Sequence, residues 1–249
     1  MTSGSVDEVS PAGQAAPKPN PFERIVGVFF SPSETLASIA RQPDWVVPLV
    51  LMLVVSLISG IVMANRVDFA SAAREAMEQN KNIPPDRVES AVKMTAAIGK
   101  AASYCAPIFS VIAFLVIAGV LLLAFRLFGG EGNFKQAFSV SVYAWMPGLL
   151  KSIITLAVLL TRESMGAEDL AIAVRSNLGF LVSMKSNPMA FAVLTSLDIF
   201  TIWMLILFSI GFAYVARVSK TKAATIVVTL WLVTVAFKVV PAALRSLRG

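Results

Sequence analysis

Apolar residues along the chain gather into five long blocks separated by shorter polar stretches. The blocks cover 45–63, 107–125, 137–160, 194–215 and 223–240. A helix needs about 20 mostly apolar residues to cross roughly 30 Å of hydrocarbon, so each block predicts one membrane span. Ahead of the first block, Phe22, Ile25, Val26 and Phe29 recur at helical spacing. Asn20-Pro21-Phe22-Glu23 supplies the start, with Asn20 as cap, Pro21 at the first helical position and Glu23 reaching back. Ser31-Pro32-Ser33-Glu34 repeats the signal and predicts a second short helix to Arg41, with Leu36 and Ile39 on its apolar side. Together these form an amphipathic arm that lies in the membrane interface or docks on the protein's own loops.

The segments between blocks are helical in part. From Asn65 to Ser103 the chain is alanine-rich and charged; Phe69, Ala73, Ala76 and Met77 mark one face, with Arg74 and Glu78 as a supporting i, i+4 pair. Asn80 to Pro85 breaks this helix, and Asp86-Arg87-Val88-Glu89 restarts one with a capping box. A helical hairpin over the membrane surface follows. Ser56 and Gly60 give the first span a small-residue face for close helix contact. Pro147 lies inside the third block, removes a backbone donor and predicts a kink there. Arg162 to Val193 is too interrupted to span; its stretch Ala171 to Met184 predicts a surface-lying helix. The last span finishes at Pro241, leaving a short basic tail over 242–249. Residues 1–19 lack a basic region followed by an apolar one, so they are not a signal peptide and read as a disordered polar tail. The fold class is therefore all-α, a polytopic bundle of five transmembrane helices.

Composition sharpens this picture. Of 249 residues, 57% are hydrophobic and 14% charged, against about 25% charged in soluble domains, which excludes a soluble enzyme with a membrane tag. Histidine is absent, removing the commonest general base and most zinc and haem sites. The single cysteine, Cys105, has no second thiol for a disulfide or a metal cage and reads as a structural thiol at a helix start. The net charge of +6 sits in short loops between apolar blocks. That suits anionic lipid headgroups better than nucleic acid. The cationic loop Arg217–Lys222 votes for a cytoplasmic N-terminus.

Two ionisable residues stand out within the blocks, Lys151 and Asp198. A lysine at the centre of a membrane helix costs about 2.5–3.5 kcal/mol on an insertion scale, so it needs a partner. Lys151 lies nine residues before Leu160, or ~13 Å below that end of its span. Asp198 lies four residues into the next span, about 6 Å below the same face. The two are predicted to meet within salt-bridge or one-water distance. Such a pair can be a polar site between helices, linked to a substrate or a proton, or a bridge pinning the kinked third span to the fourth. No catalytic, cofactor or metal set is expected. Ser152 beside Lys151 does not face it, and the Gly129–Asn133 turn lacks the Lys-Ser/Thr ending of a phosphate loop.

The ordered chain from Asn20 to Val240 resembles the Yip1 domain family. The resemblance rests on Asn20-Pro21 with Ser31-Pro32-Ser33-Glu34-Thr35, on Gly129-Gly130-Glu131-Gly132-Asn133-Phe134-Lys135-Gln136-Ala137, and on Tyr143-Ala144-Trp145-Met146-Pro147. Leu197-Asp198-Ile199-Phe200-Thr201-Ile202-Trp203 and Ser219-Lys220-Thr221-Lys222-Ala223 complete it. It implies a five-span helical domain over 20–241 with a cytoplasmic N-terminus, in a compact form like that of bacterial members, and so a bacterial inner membrane. Eukaryotic members are tied to vesicle traffic and to Rab-type GTPases through a longer N-terminal region. The expected role is a scaffold that binds a protein partner, or a second copy of itself, at the cytoplasmic face of the bilayer. The alternative is a small permease or a transporter's membrane subunit, with its polar site at Lys151 and Asp198.

Overall fold

A computed structural model describes residues 20–78, 84–184 and 186–246; the polar tail expected over 1–19 lies outside them. Among the described residues, five helical stretches are long and apolar enough to cross a membrane: Val46–Arg66, Ala106–Leu127, Phe134–Leu160, Ile199–Ala216 and Lys220–Val240. The first two are α3 and α6. The third is two helices, α7 (Phe134–Ala144) and α8 (Met146–Leu160). The fourth is α11, preceded by the short helices α9 (Ala167–Ala171) and α10 (Pro188–Ser196). The last belongs to α12 (Lys220–Ser246). That helix runs through Pro241 instead of ending there. The proline deletes one backbone donor, but Ala242, Ala243 and Leu244 are strong helix formers and carry the helix onward.

α7–α8 and α11 run antiparallel through the centre. Trp145 packs edge-on to Phe208 with ring centroids 6.3 Å apart. Val140 sits against Gly211 one level nearer the face that carries the N-terminal helices, here the near face. Every residue of α7 from Ala137 to Ala144 is buried, which explains why this segment carries small and apolar side chains on all its sides.

The N-terminal helices are α1 (Pro21–Phe30) and α2 (Pro32–Arg41). They pack against α7 and α11 and are tied to the loop before α3 through Arg24, Gln42 and Asp44. Leu36 packs by Gly211, and Ala40 O accepts from Gln136 Nε2 at 2.8 Å. Phe29 meets Trp203 edge-on at 5.2 Å. The expected arm face is split accordingly. Ile25 and Phe29 pack against the core, whereas Phe22 and Val26 stay exposed together with Phe30. The faces that bury completely are those of Val28, Leu36 and Ile39. At the helix starts, Asn20 Oδ1 accepts from Phe22 N at 3.0 Å, while Ser31 makes no side-chain cap; Pro32 starts α2 alone.

On the far face, α4 (Phe69–Glu78) and α5 (Pro85–Tyr104) form the expected hairpin. Asp68 starts α4 by accepting from Ala70 N and Ser71 N. α5 begins at Pro85, with Asp86 in its first turn, so no capping box forms on Asp86. Glu89 turns instead to Arg74, 2.9 Å away, and locks the two helices together. The expected Arg74–Glu78 pair involves a side chain outside the described set. Cys105, the hinge residue between α5 and α6, is exposed.

The small-residue face of the first span has a definite job. Ser56 Oγ lies 3.2 Å from Ser110 Oγ of α6, and the Ser103 carbonyl occupies the space where a Cβ on Gly60 would stand. Gly60→Ala is therefore expected to lower stability by about 1–3 kcal/mol through overpacking against backbone. Thermal unfolding in detergent checks this against Gly119→Ala, where no atom lies within 4 Å of the new methyl group and no loss is expected.

Candidate functional site at the Lys151–Asp198 corner

Both central spans are broken, and the breaks create the site. In the third span, α7 stops at Ala144 and α8 starts at Met146, with Trp145 between them at φ −84° and ψ 0°. Pro147 occupies the first turn of α8, where its missing N–H needs no acceptor. The kink expected at Pro147 is thus an interruption centred two residues earlier. Lys151 follows one turn on, aimed at the start of α11.

In the fourth span the break falls at Leu197 and Asp198, which lie outside any helix. A span beginning near Leu194 with Asp198 within its first turns is therefore corrected. Asp198 is the N-cap of α11, in extended conformation at φ −118° and ψ 136°. A carboxylate inside a helix in hydrocarbon has few donors to meet, whereas at the cap position it meets free backbone N–H groups. Asp198 Oδ1 takes Phe200 N at 2.9 Å and Thr201 N at 3.3 Å.

The other oxygen faces the charge. Lys151 Nζ donates to Asp198 Oδ2 at 2.7 Å, and Ser176 Oγ donates to the same oxygen. Asp198 is 1% exposed and Lys151 32%. Each carboxylate oxygen thus has two donors, which fills its acceptor capacity. The ammonium uses one of its three N–H groups on Asp198, and Lys151 also lines a crevice.

The segment 172–182 closes the corner and is not the surface-lying helix expected over Ala171–Met184. It folds back as irregular chain with one 3₁₀ turn, Leu178–Leu181, and buries Asn177 and Gly179. Asn177 Oδ1 accepts from Gly179 N at 2.9 Å and its Nδ2 donates to Ala171 O at 3.2 Å. These local bonds compete with helix formation. Asn177 also pairs with Asp198 as an antiparallel bridge, and Ile199 N donates to Ser176 O at 3.0 Å. Arg175 covers the Phe180 ring at 5.9 Å. Ser176 and Asn177 were invisible as site residues in sequence. The one available signal was Asn177-Leu178-Gly179, a turn former.

The crevice beside Lys151 holds about 320 Å³ between α3, α6 and α8. Ser56, Ser59, Ser110, Ser152 and Thr155 contribute hydroxyls, Phe114 and Trp145 add aromatic faces to an otherwise mostly aliphatic wall, and no residue of α11 lines it. Ser110, Ser152 and Thr155 already donate to carbonyls of their own helices. Ser152 is therefore not hydrogen-bonded to Lys151, and no hydrolytic dyad assembles here.

A second polar cluster, absent from the sequence reading, ties the N-terminal hairpin to the bundle. Arg24 is 4% exposed. Its Nη1 lies 3.0 Å from Asp44 Oδ1 and donates to Gln42 O at 2.8 Å, while Nη2 donates to Ser38 Oγ at 3.1 Å. Tyr143 Oη donates to the same Asp44 oxygen at 2.9 Å.

The Yip1 domain profile matches residues 26–240. Membrane protein YknW of Bacillus subtilis strain 168 is 22% identical over 239 residues, covering 96% of this chain and 96% of that protein. Uncharacterized protein MJ0794 of Methanocaldococcus jannaschii is 35% identical over 48 residues, 19% of this chain and 34% of that protein. No solved structure matches.

Proposed function

The chain belongs to the Yip1 domain family, and from that premise we propose that it is a non-enzymatic membrane scaffold holding a protein partner at the near face. The observation that carries this reading is the filled acceptor set of Asp198. A carboxylate with four internal donors has no lone pair left for a passing substrate, so the pair acts as a pin between α8 and α11. What the molecule offers outward is the near face. Its N-terminal hairpin is fixed by Arg24, and its outward stripe is Phe22, Val26 and Phe30. The short cationic loops there favour the cytoplasmic side, which in a bacterial cell is the inner face of the plasma membrane.

A photo-crosslinking residue at Val26 is the direct test. It should capture one protein in living cells, and the capture should persist in the double variant Lys151→Met/Asp198→Asn. The crevice beside Lys151 favours a second reading, a permease or a transporter's membrane subunit. In that case the double variant folds but loses the cellular phenotype, and a stoichiometric ATPase co-purifies in mild detergent. That outcome replaces the scaffold reading.

A further inference from the structure

A separate concavity opens on the near face, away from Lys151. It holds about 590 Å³ between the last turn of α2, the first turn of α7 and the last turn of α11. Arg41, Glu131, Asn133, Gln136, Tyr214 and Arg217 are the polar side chains that line it. We propose that it binds the phosphate headgroup of an anionic phospholipid.

The rim is rigid. Glu131 N donates to Ala216 O at 2.9 Å and Arg126 Nη2 donates to Gly132 O at 3.0 Å. Gly132 holds φ at 101°, with Val215 packed where a side chain would stand. The charge balance selects an anion. The segments 126–135 and 217–222 carry Arg126, Lys135, Arg217, Lys220 and Lys222 against the single acid Glu131. Glu131 is taken by Arg217 at 2.8 Å. Arg41 is exposed and, among the described residues, has no carboxylate within ion-pair distance.

The first turn of α7 adds neutral donors at the edge of this space, where Asn133 and Gln136 line it and Phe134 and Lys135 do not. The α7 capping box engages the N–H groups of Asn133 and Gln136. Those of Phe134 and Lys135 have no acceptor within the helix and form the positive end of its dipole. The Tyr214 side chain lines the wall beside them. Several donors around one uncompensated guanidinium fit a phosphate with its several acceptor oxygens.

The apolar surroundings select a lipid over a soluble anion. Leu127, Phe128 and Phe134 flank the rim in sequence and are 75%, 59% and 44% exposed. A phosphoryl group tethered to acyl chains covers both the charge and these side chains, whereas an acidic peptide covers only the charge. The concavity sits at the ends of two candidate spans, α7 and α11, beside the end of α2, where headgroups lie. It is independent of the partner-binding reading, because it needs no second protein.

Native mass spectrometry of the full chain tests this, with phosphatidylglycerol or phosphatidylcholine titrated into detergent. The wild type should retain one phosphatidylglycerol in preference to phosphatidylcholine. Arg41→Gln should weaken that retention roughly tenfold, the size of a lost charge-assisted hydrogen bond. Tyr214→Phe should weaken it less, and Lys238→Gln, a charge-matched change on the far part of α12, should leave it unaltered. Arg41 is exposed, so its variant should keep the wild-type melting profile. Equal retention of both lipids, or equal loss in Arg41→Gln and Lys238→Gln, overturns the proposal. So does binding of inorganic phosphate or polyglutamate at Arg41 without phosphatidylglycerol retention.

Discussion

Asp198→Ala is expected to destabilise the bundle by about 3–5 kcal/mol, the cost of breaking a buried ion pair by removing one partner. One carboxylate serves three elements at once. It caps α11 through Phe200 and Thr201, neutralises Lys151 of α8, and receives Ser176 from the segment that closes the corner. Its removal leaves Lys151 charged and unpaired at a depth where lipid supplies no counter-ion. Lys151→Met strands less, because Asp198 keeps two backbone donors and Ser176. The double change Lys151→Met/Asp198→Asn retains a capping side chain and removes both charges. It should lie within about 1.5 kcal/mol of the wild type, since neutral replacement of a buried pair is often nearly free. Unfolding in mixed micelles for the wild type, Lys151→Met, Asp198→Asn and the double variant closes a cycle that measures the coupling directly. If Asp198→Ala melts with the wild type, the pin between α8 and α11 is refuted.

Arg24→Ala should release the N-terminal hairpin at a cost of about 3 kcal/mol. Arg24 holds three acceptors from a fully packed position, and its loss leaves Asp44 with only Tyr143. Arg24→Lys should rescue little, because an ammonium cannot reproduce the planar fork that reaches Asp44, Gln42 and Ser38 together. Trypsin reads the result. Arg41 lies in the last turn of α2, so the wild type should resist cleavage there and the alanine variant should be cut after it. A variant that resists as well as the wild type would show that Val28, Leu36 and Ile39 hold the hairpin without the ion pair.

The sequence exposed the five spans because hydrocarbon imposes a length on them: a helix that crosses it must carry some 20 apolar residues in a row. It also pointed to Lys151 and Asp198 as partners. A charge in that medium needs a counter-charge, and 1.5 Å per residue fixed their depths. The break at Asp198 was less legible. The fourth span reads as beginning near Leu194, and only the capping geometry distinguishes a carboxylate at a helix start from one within a helix. The chain over 171–184 misled for a related reason: Asn177 satisfies backbone groups locally, which propensity does not count.

What the sequence determined by itself is the class of molecule: an all-helical chain threaded five times through a bilayer, with family membership carried by short motifs in a fixed order. Those properties depend on local composition and on the bilayer as solvent. Tertiary structure alone decided that the N-terminal helices pack against α7 and α11, and that Arg24, Asp44 and Tyr143 meet. It also decided that Arg41, Asn133 and Arg217 surround one space. Each of these joins residues far apart in the chain, and helix packing, a matter of side-chain shape on several elements at once, sets which helix ends lie side by side.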